Sequence, residues 1–242
     1  FVDDGILNVY TSTQWPSYLQ SVLSATLDID DDLISVKKTK STGQSTNGIW
    51  RNATLAVQTA VASYLTGKPV KLMLSREEQH LFMAIGMPVM VKHRTAVTKD
   101  GHITAMQINI EADIGAWNPF AQEIADRLVI ASCGVYTPEN INVTARAVTS
   151  SKPPTSIYSQ MIDSQSFFAV ENQLSLIADK TNMLPGEIRD LNMNAHAKDM
   201  PFIFKLEKTS DVLNNVLSVS DFNRKYITFR METKQIIEKN IY

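Results

Sequence analysis

Leu7-Asn8-Val9-Tyr10-Thr11-Ser12-Thr13-Gln14-Trp15-Pro16 decides how this chain begins to fold. Residues 7–11 alternate apolar and polar side chains with the two-residue period of a half-buried strand. Pro16 then stands where the first turn of a helix tolerates a fixed φ and a missing N–H. Tyr18, Leu19, Val22, Leu23 and Leu27 follow at three- and four-residue steps, which predicts a helix from Pro16 to Leu27. Strand, polar turn and helix form the opening unit.

The chain continues in the same manner for its first third. After the acidic break at Asp28 to Asp32, Leu33-Ile34-Ser35-Val36 reads as a second strand. A polar stretch over residues 37–52 leads into an Ala-rich helix over residues 54–65, which Gly67 ends. Residues 70–74 read as a short apolar strand of the buried kind, and Ser75 as the cap of a helical turn through Glu78. Residues 89–112 form a long hairpin about Asp100-Gly101, with Met106, Ile108 and Ile110 on its buried face. Pro119 opens a helix through Val129, residues 136–148 mix strand and turn, and Pro153-Pro154 interrupts them. Phe167, Val170, Leu174 and Ile177 mark the inner face of a further helix. Pro185-Gly186-Glu187 starts a short helix to Leu191, and Val212, Leu213, Val216 and Leu217 mark a later one. The fold class is therefore α+β, with mixed β-sheets and packed helices, and residues 5–80 forming a mixed sheet covered by the first two helices.

Composition bounds the function. With 242 residues and 44% hydrophobic content, the chain can bury the core of one large domain or two small ones. Its 23 basic and 25 acidic residues are interspersed and leave a charge of −2, so no basic stripe points to nucleic acid and no polybasic anchor to a membrane. No apolar run approaches the roughly 20 residues that span a bilayer. Cys133 is the single cysteine, which excludes an internal disulfide and a thiolate metal cluster and suits a reducing, cytoplasmic setting. His80, His93, His102 and His196 never pair at metal-ligand spacing, so each reads as a surface or turn residue and no protein-held metal is expected. A start at Phe1 that leads at once into apolar sequence reads as an excised domain.

Several short matches occur in order: Tyr10-Thr11-Ser12-Thr13-Gln14, Thr66-Gly67-Lys68-Pro69-Val70-Lys71 and Ser75-Arg76-Glu77-Glu78. Asp100-Gly101-His102-Ile103, Asp113-Ile114-Gly115-Ala116, the helix from Glu171 to Ala178, and Pro185-Gly186-Glu187-Ile188-Arg189 with Leu191-Asn192 continue them. In this order the chain resembles the molybdopterin-binding large subunit of the xanthine dehydrogenase and aldehyde oxidase family over roughly residues 5–195. The resemblance implies a first part of a molybdopterin-binding domain over residues 1–192, and the start of a following subdomain over 193–242. It implies an oxidoreductase that hydroxylates a heterocycle or an aldehyde with oxygen from water, at a molybdenum held by a pterin dithiolene. The cofactor that the resemblance implies is molybdopterin, in its plain or cytosine-dinucleotide form and not necessarily held by this fragment, and the implied partners that take up the electrons are iron–sulfur and FAD subunits or domains. A homo-oligomer is left open. The family's general-base glutamate lies in a Gly-rich segment downstream of the matched region, so no catalytic residue is assigned here.

The family's cofactor loops are rewritten in this sequence. A Gly-Gly-Gly-Phe-Gly-Gly-Lys loop aligns with Thr42-Gly43-Gln44-Ser45-Thr46-Asn47-Gly48, and the acid that contacts substrate in purine hydroxylases becomes Ile49. An Arg-Gly-Phe-Gly-Gly-Pro-Gln run aligns with Ser159-Gln160-Met161-Ile162-Asp163-Ser164-Gln165, where the glutamine alone survives. Gln14 also survives, at a position where the family's glutamine approaches the molybdenum ligands. The candidate cofactor contacts implied by the resemblance are Gln14, Gly43, Gln44, Ser45, Ser159 and Gln165. Read from the residues alone, the two loops are either solvated turns or a remodelled pocket for an anionic ligand, and Gln14 either contacts that ligand or bonds the exposed amides of the helix after Pro16. Trp50 and Tyr158 read as packing residues rather than substrate stackers. Two functions stay open: a hydroxylase subunit, inactive as this fragment, and a non-catalytic relative or assembly module that has lost the cofactor.

Overall fold

The computed structural model describes residues 2–39, 51–82, 86–155, 162–193 and 209–239. Strands β1 (Val2–Asp3), β2 (Ile6–Thr11) and β3 (Ile34–Lys38) make one sheet in the order β1-β2-β3. Its first pair is antiparallel, Val2 opposite Leu7, and its second is parallel, in register from Leu7 opposite Ile34 to Thr11 opposite Lys38. Between β2 and β3 runs helix α1 (Pro16–Leu27), with the bounds its sequence predicts. Asp28, in the left-handed region at φ 55°, ends it, and its N–H donates to the Ser24 carbonyl. Leu33 closes a 3-10 turn (Asp31–Leu33) instead of opening β3, its N–H donating to the Asp30 carbonyl at 3.0 Å.

Helix α2 (Arg51–Thr66) stops at Gly67, whose φ of 63° lets its N–H reach the Ser63 carbonyl at 2.9 Å. Leu7 and Val9 of β2, Leu19 and Leu23 of α1, Ile34 of β3, and Ala53, Ala56 and Ala60 of α2 form one buried cluster. The alanines let α2 lie close, while Leu19 and Leu23 each contribute about 2–3 kcal/mol of burial.

Residues 70–74 depart from their reading. They form no strand, and Val70, Leu72 and Met73 are 38%, 44% and 71% exposed. A buried strand needs a hydrogen-bonded neighbour as well as apolar side chains, and among the described residues the sheet ends without pairing this segment. The cap reading at Ser75 holds: its hydroxyl accepts the Glu78 N–H at 3.2 Å, while Glu78 accepts the Ser75 N–H at 2.7 Å, opening helix α3 (Arg76–Phe82).

A second sheet has the order β4-β5-β6, from β4 (Val89–Val97), β5 (Ile103–Gly115) and β6 (Asn140–Thr149). The β4–β5 turn is the expected one, with Gly101 at φ 91° and its N–H on the Thr98 carbonyl. A Cβ there would stand 2.6 Å from Met183 Sδ, so the turn requires glycine. Met106, Ile108, Ile110 and Ala112 are buried at alternate positions of β5.

The remaining helices are α4 (Ala121–Ala131), α5 (Ile162–Thr181), α6 (Pro185–Asn192), α7 (Thr209–Ser220) and α8 (Phe222–Lys239). On α5, Val170, Leu174 and Ile177 are buried as expected, but Phe167 is 46% exposed. Ser166, one turn before Val170, takes the inward place, and its hydroxyl donates to the Leu128 carbonyl at 3.1 Å. His93 is half-buried on β4, contrary to its reading as a surface or turn residue, because alternation turns it to the inner side of the strand. Helix α8 answers to no sequence expectation. The mixed sheets with packed helices make the fold α+β, as expected. The chain divides into two compact units, Phe1–Met90 with Glu111–Arg127 and Arg146–Ser164, and Val91–Ile110 with Leu128–Ala145 and Gln165–Tyr242.

Candidate functional site

In the first unit, β2 and β3 run parallel and end side by side, the Thr39 N–H prolonging the pair onto the Thr11 carbonyl at 3.0 Å. The carboxyl ends of parallel strands are where turns into helices gather and ligands bind in α/β units. The turn here is Ser12-Thr13-Gln14-Trp15. Thr13 is buried, and its hydroxyl accepts the Trp15 N–H at 3.1 Å, which folds the turn back toward Pro16. Gln14 is left exposed. It does not cap the helix: α1 begins at an N-cap Trp15 with no side-chain cap bond, which overturns the capping alternative. Trp15 and Tyr18 pack ring to ring at 5.2 Å, and Lys37 sits 5.4 Å over the Tyr10 ring.

A cavity of about 530 Å³ opens along β2, bounded by α2 and by residues 70–72. Its apolar floor comes from Leu7, Val9 and Ala56, and its polar lining includes Thr11, Ser12, Thr39 and Lys71. Lys71 is the one cation of that lining among the described residues, and no acid joins it. Thr59 and Ser63 also line it, with hydroxyls that donate to the Leu55 and Lys68 carbonyls and keep oxygen lone pairs as acceptors. The sequence reading missed Lys71: nothing in Lys68-Pro69-Val70-Lys71 separates it from Lys68 until the segment is laid beside β2.

Of the other candidates, Gly43, Gln44, Ser45 and Ser159 lie outside the described residues, as do Trp50 and Tyr158. Gln165 is half-buried near the start of α5 and belongs to the second unit, whereas Gln14 belongs to the first. Asp163, in the first turn of α5, pairs with Arg127 through Oδ2, while its Oδ1 is buried with no hydrogen-bond partner among the described residues.

Two other polar clusters hold the scaffold. Asp113 takes hydrogen bonds from Lys152 Nζ at 2.8 Å, Ser150 Oγ at 2.6 Å and the Gly115 N–H at 3.0 Å, which hold its carboxyl down at about 2. In the second unit, Tyr136 donates to Glu171 Oε1 at 2.7 Å, and Arg189 Nε donates to Glu171 Oε2 at 2.7 Å. Burial, then the Glu171 carboxylate, pushes the Tyr136 hydroxyl far up. Burial likewise raises the Cys133 thiol, which keeps it a neutral packing group. No group of His, Cys, Asp and Glu among the described residues could hold a metal ion. No described helix is long and apolar enough to cross a membrane.

The family model for the molybdopterin cofactor-binding domain matches residues 1–193. Aldehyde oxidase 4 of Rattus norvegicus is 25% identical over 191 residues, which cover 79% of this chain and 14% of that protein. The nicotinate dehydrogenase large molybdopterin subunit of Eubacterium barkeri is 28% identical over 192 residues, 78% of this chain and 44% of that subunit. This chain therefore matches less than half the length of either relative. In fold, it is similar to the aldehyde oxidoreductase of Desulfovibrio desulfuricans with a TM-score of 0.77 at 18% identity, covering 95% of this chain and 26% of that one. Quinoline 2-oxidoreductase of Pseudomonas putida 86 aligns with a TM-score of 0.71 at 22% identity, over 94% of this chain and 30% of that one.

Proposed function

The chain belongs to the molybdopterin cofactor-binding domain family, and from that premise we propose that it supplies the first part of a cofactor cradle in a hydroxylase of heterocycles or aldehydes. The observation that carries this reading is the cavity along β2, which reaches the strand's carboxyl end and Thr39 just past β3, and whose lining among the described residues holds the hydroxyls of Thr11, Ser12 and Thr39 and the ammonium of Lys71 but no acid. Such donors fit an anionic, phosphate-bearing pterin, and a dithiolene ligand to molybdenum needs no protein cysteine. When bound, the molybdenum–pterin group supplies the redox centre at which oxygen from water is transferred to the substrate.

The residues of the chain bind and orient. Lys71 offsets anionic charge, the hydroxyls donate hydrogen bonds, and the exposed Gln14 amide is positioned by the Thr13–Trp15 turn to reach a ligand beyond the strand ends. On the resemblance alone, Gly43, Gln44, Ser45, Ser159 and Gln165 are further contacts. The plain or cytosine-dinucleotide form of the cofactor, xanthine dehydrogenase-like chemistry, iron–sulfur and FAD partners, and a cytoplasmic setting belong to the same proposal. So does the division into residues 1–192 and a following subdomain.

A second reading, a relative that keeps the fold without the cofactor, draws on Asp163. Its carboxylate, with one buried oxygen lacking a partner, stands where the resemblance puts a glycine beside an anionic centre. Elemental molybdenum and fluorescence of the released, oxidised pterin, measured on the full-length polypeptide with its electron-transfer partners, separate the two. The cradle reading expects stoichiometric pterin in the wild type, and a loss of affinity of about tenfold to a hundredfold in Lys71→Ala, as for one charge-assisted hydrogen bond. Pterin absent from the wild type but present in Asp163→Gly would favour the second reading and overturn the first.

A further inference from the structure

We propose that His93 is an acid-sensitive latch between strand β4 and helix α5, independent of any cofactor. Alternation along β4 turns His93 and Thr95 to its half-buried face and Lys92 and Arg94 to the exposed one. Gln173 of α5 donates from Nε2 to Thr95 Oγ1 at 3.1 Å, and the same oxygen lies 3.1 Å from His93 Nδ1. Helix, threonine and imidazole thus form one hydrogen-bonded chain. The other ring nitrogen, Nε2, is buried with no hydrogen-bond partner among the described residues.

Whichever nitrogen carries the proton in the neutral ring, a second proton turns both into donors. From the Nδ1–H tautomer, Nε2 then becomes a buried N–H with nothing among the described residues to accept it; from the Nε2–H tautomer, Thr95 loses Nδ1 as an acceptor; in both, the buried ring gains a charge. Among the described residues no carboxylate offsets the charge. Glu171 on α5 is engaged with Tyr136 and Arg189, and Asp179 with Arg230, while Lys180 is exposed. The neighbouring strand β5 has no titratable side chain between Ile103 and Ile110. Burial therefore holds the His93 ring below its ordinary value of 6.5, with no charged neighbour contributing. For a base held down in this way, the open arrangement takes up the proton first. The latch is fully closed above about pH 6.5 and loosens as pH falls below it.

The test is amide hydrogen exchange on the full chain at pH 7.5 and 5.5, corrected for intrinsic rates, together with an NMR titration of the His93 ring. Protection of α5 amides around Gln173 should fall severalfold on acidification in the wild type, the direction expected for a ring that burial holds below its free value. It should stay nearly constant in His93→Gln, which can hydrogen-bond Thr95 but cannot take up a proton, and α2 amides should be unaffected in both. An equal fall in His93→Gln would overturn the latch. So would a His93 ring that titrates at 6.5 or above in the wild type, a measurement that stands even if the variant does not fold.

Discussion

Replacing Asn192 by alanine should cost about 3 kcal/mol, because one buried side chain ties helix α6 to the β4–β5 turn. Asn192 is 5% exposed. Its Oδ1 accepts the Ile103 N–H at 2.8 Å, and its Nδ2 donates to the Gly101 carbonyl at 3.0 Å and the Ile188 carbonyl at 2.8 Å. Three hydrogen bonds at a net value of about 1 kcal/mol each give the central figure, and the buried Ile103 N–H left without an acceptor sets a penalty of about 1–3 kcal/mol on its own. The sum stays near 2–4 kcal/mol because the two contributions overlap. Asn192→Asp sharpens the reasoning. It keeps the acceptor for Ile103 but turns a carboxylate toward two carbonyls, so at neutral pH it should be at least as damaging as alanine, and it should recover part of the loss in acid, where a protonated carboxyl can donate again. Urea unfolding, with exchange of the Ile103 amide as the local readout, measures both. An alanine variant within about 0.5 kcal/mol of wild type, or unchanged Ile103 protection, would refute the assignment.

Further outcomes follow from the same geometry. Gly115, at φ 77°, would bring a Cβ to 2.8 Å from Pro154 Cα, so Gly115→Ala should lose about 3 kcal/mol or more in thermal unfolding, whereas Gly5→Ala, at φ 78° with open space around it, should lose only about 1–2 kcal/mol. Glu171→Ala leaves the buried Tyr136 hydroxyl without its acceptor and Arg189 Nε without its carboxylate, and should cost about 2 kcal/mol by urea titration, part of it recovered when Tyr136→Phe is added. The raised Tyr136 hydroxyl predicts an alkaline limb: its contribution is complete below pH 10 and declines as pH rises above it, and Tyr136→Phe should remove that limb. Asp113, held at about 2, stabilises its turn above its ordinary 3.8, and this is lost as pH falls toward 2. Asp113→Asn should abolish that acid dependence in a pH-resolved melt.

Elements whose identity rests on a local repeat were legible in the sequence. The period of two in residues 7–11, Pro16 followed by Leu19 and Leu23, the capping box of Ser75 and Glu78, and the glycine turn at Gly101 each carry their structure in a few neighbouring residues, because backbone sterics and short-range hydrogen bonds decide them. The order of motifs also fixed the family, since Tyr10 to Gln14 and the later matches fall within the region that the cofactor-binding domain matches. What required the tertiary structure was every question of partner. An apolar run at residues 70–74 cannot say whether a neighbouring strand will take its hydrogen bonds, and here none among the described residues does. Whether Phe167 or Ser166 faces inward is settled by a carbonyl 38 positions away on α4. Lys71 gains meaning only beside β2, and His93 only beside Thr95 and Gln173. Periodicity determines which face of an element is apolar, but what meets that face depends on contacts between residues far apart in sequence, which only the folded chain brings together.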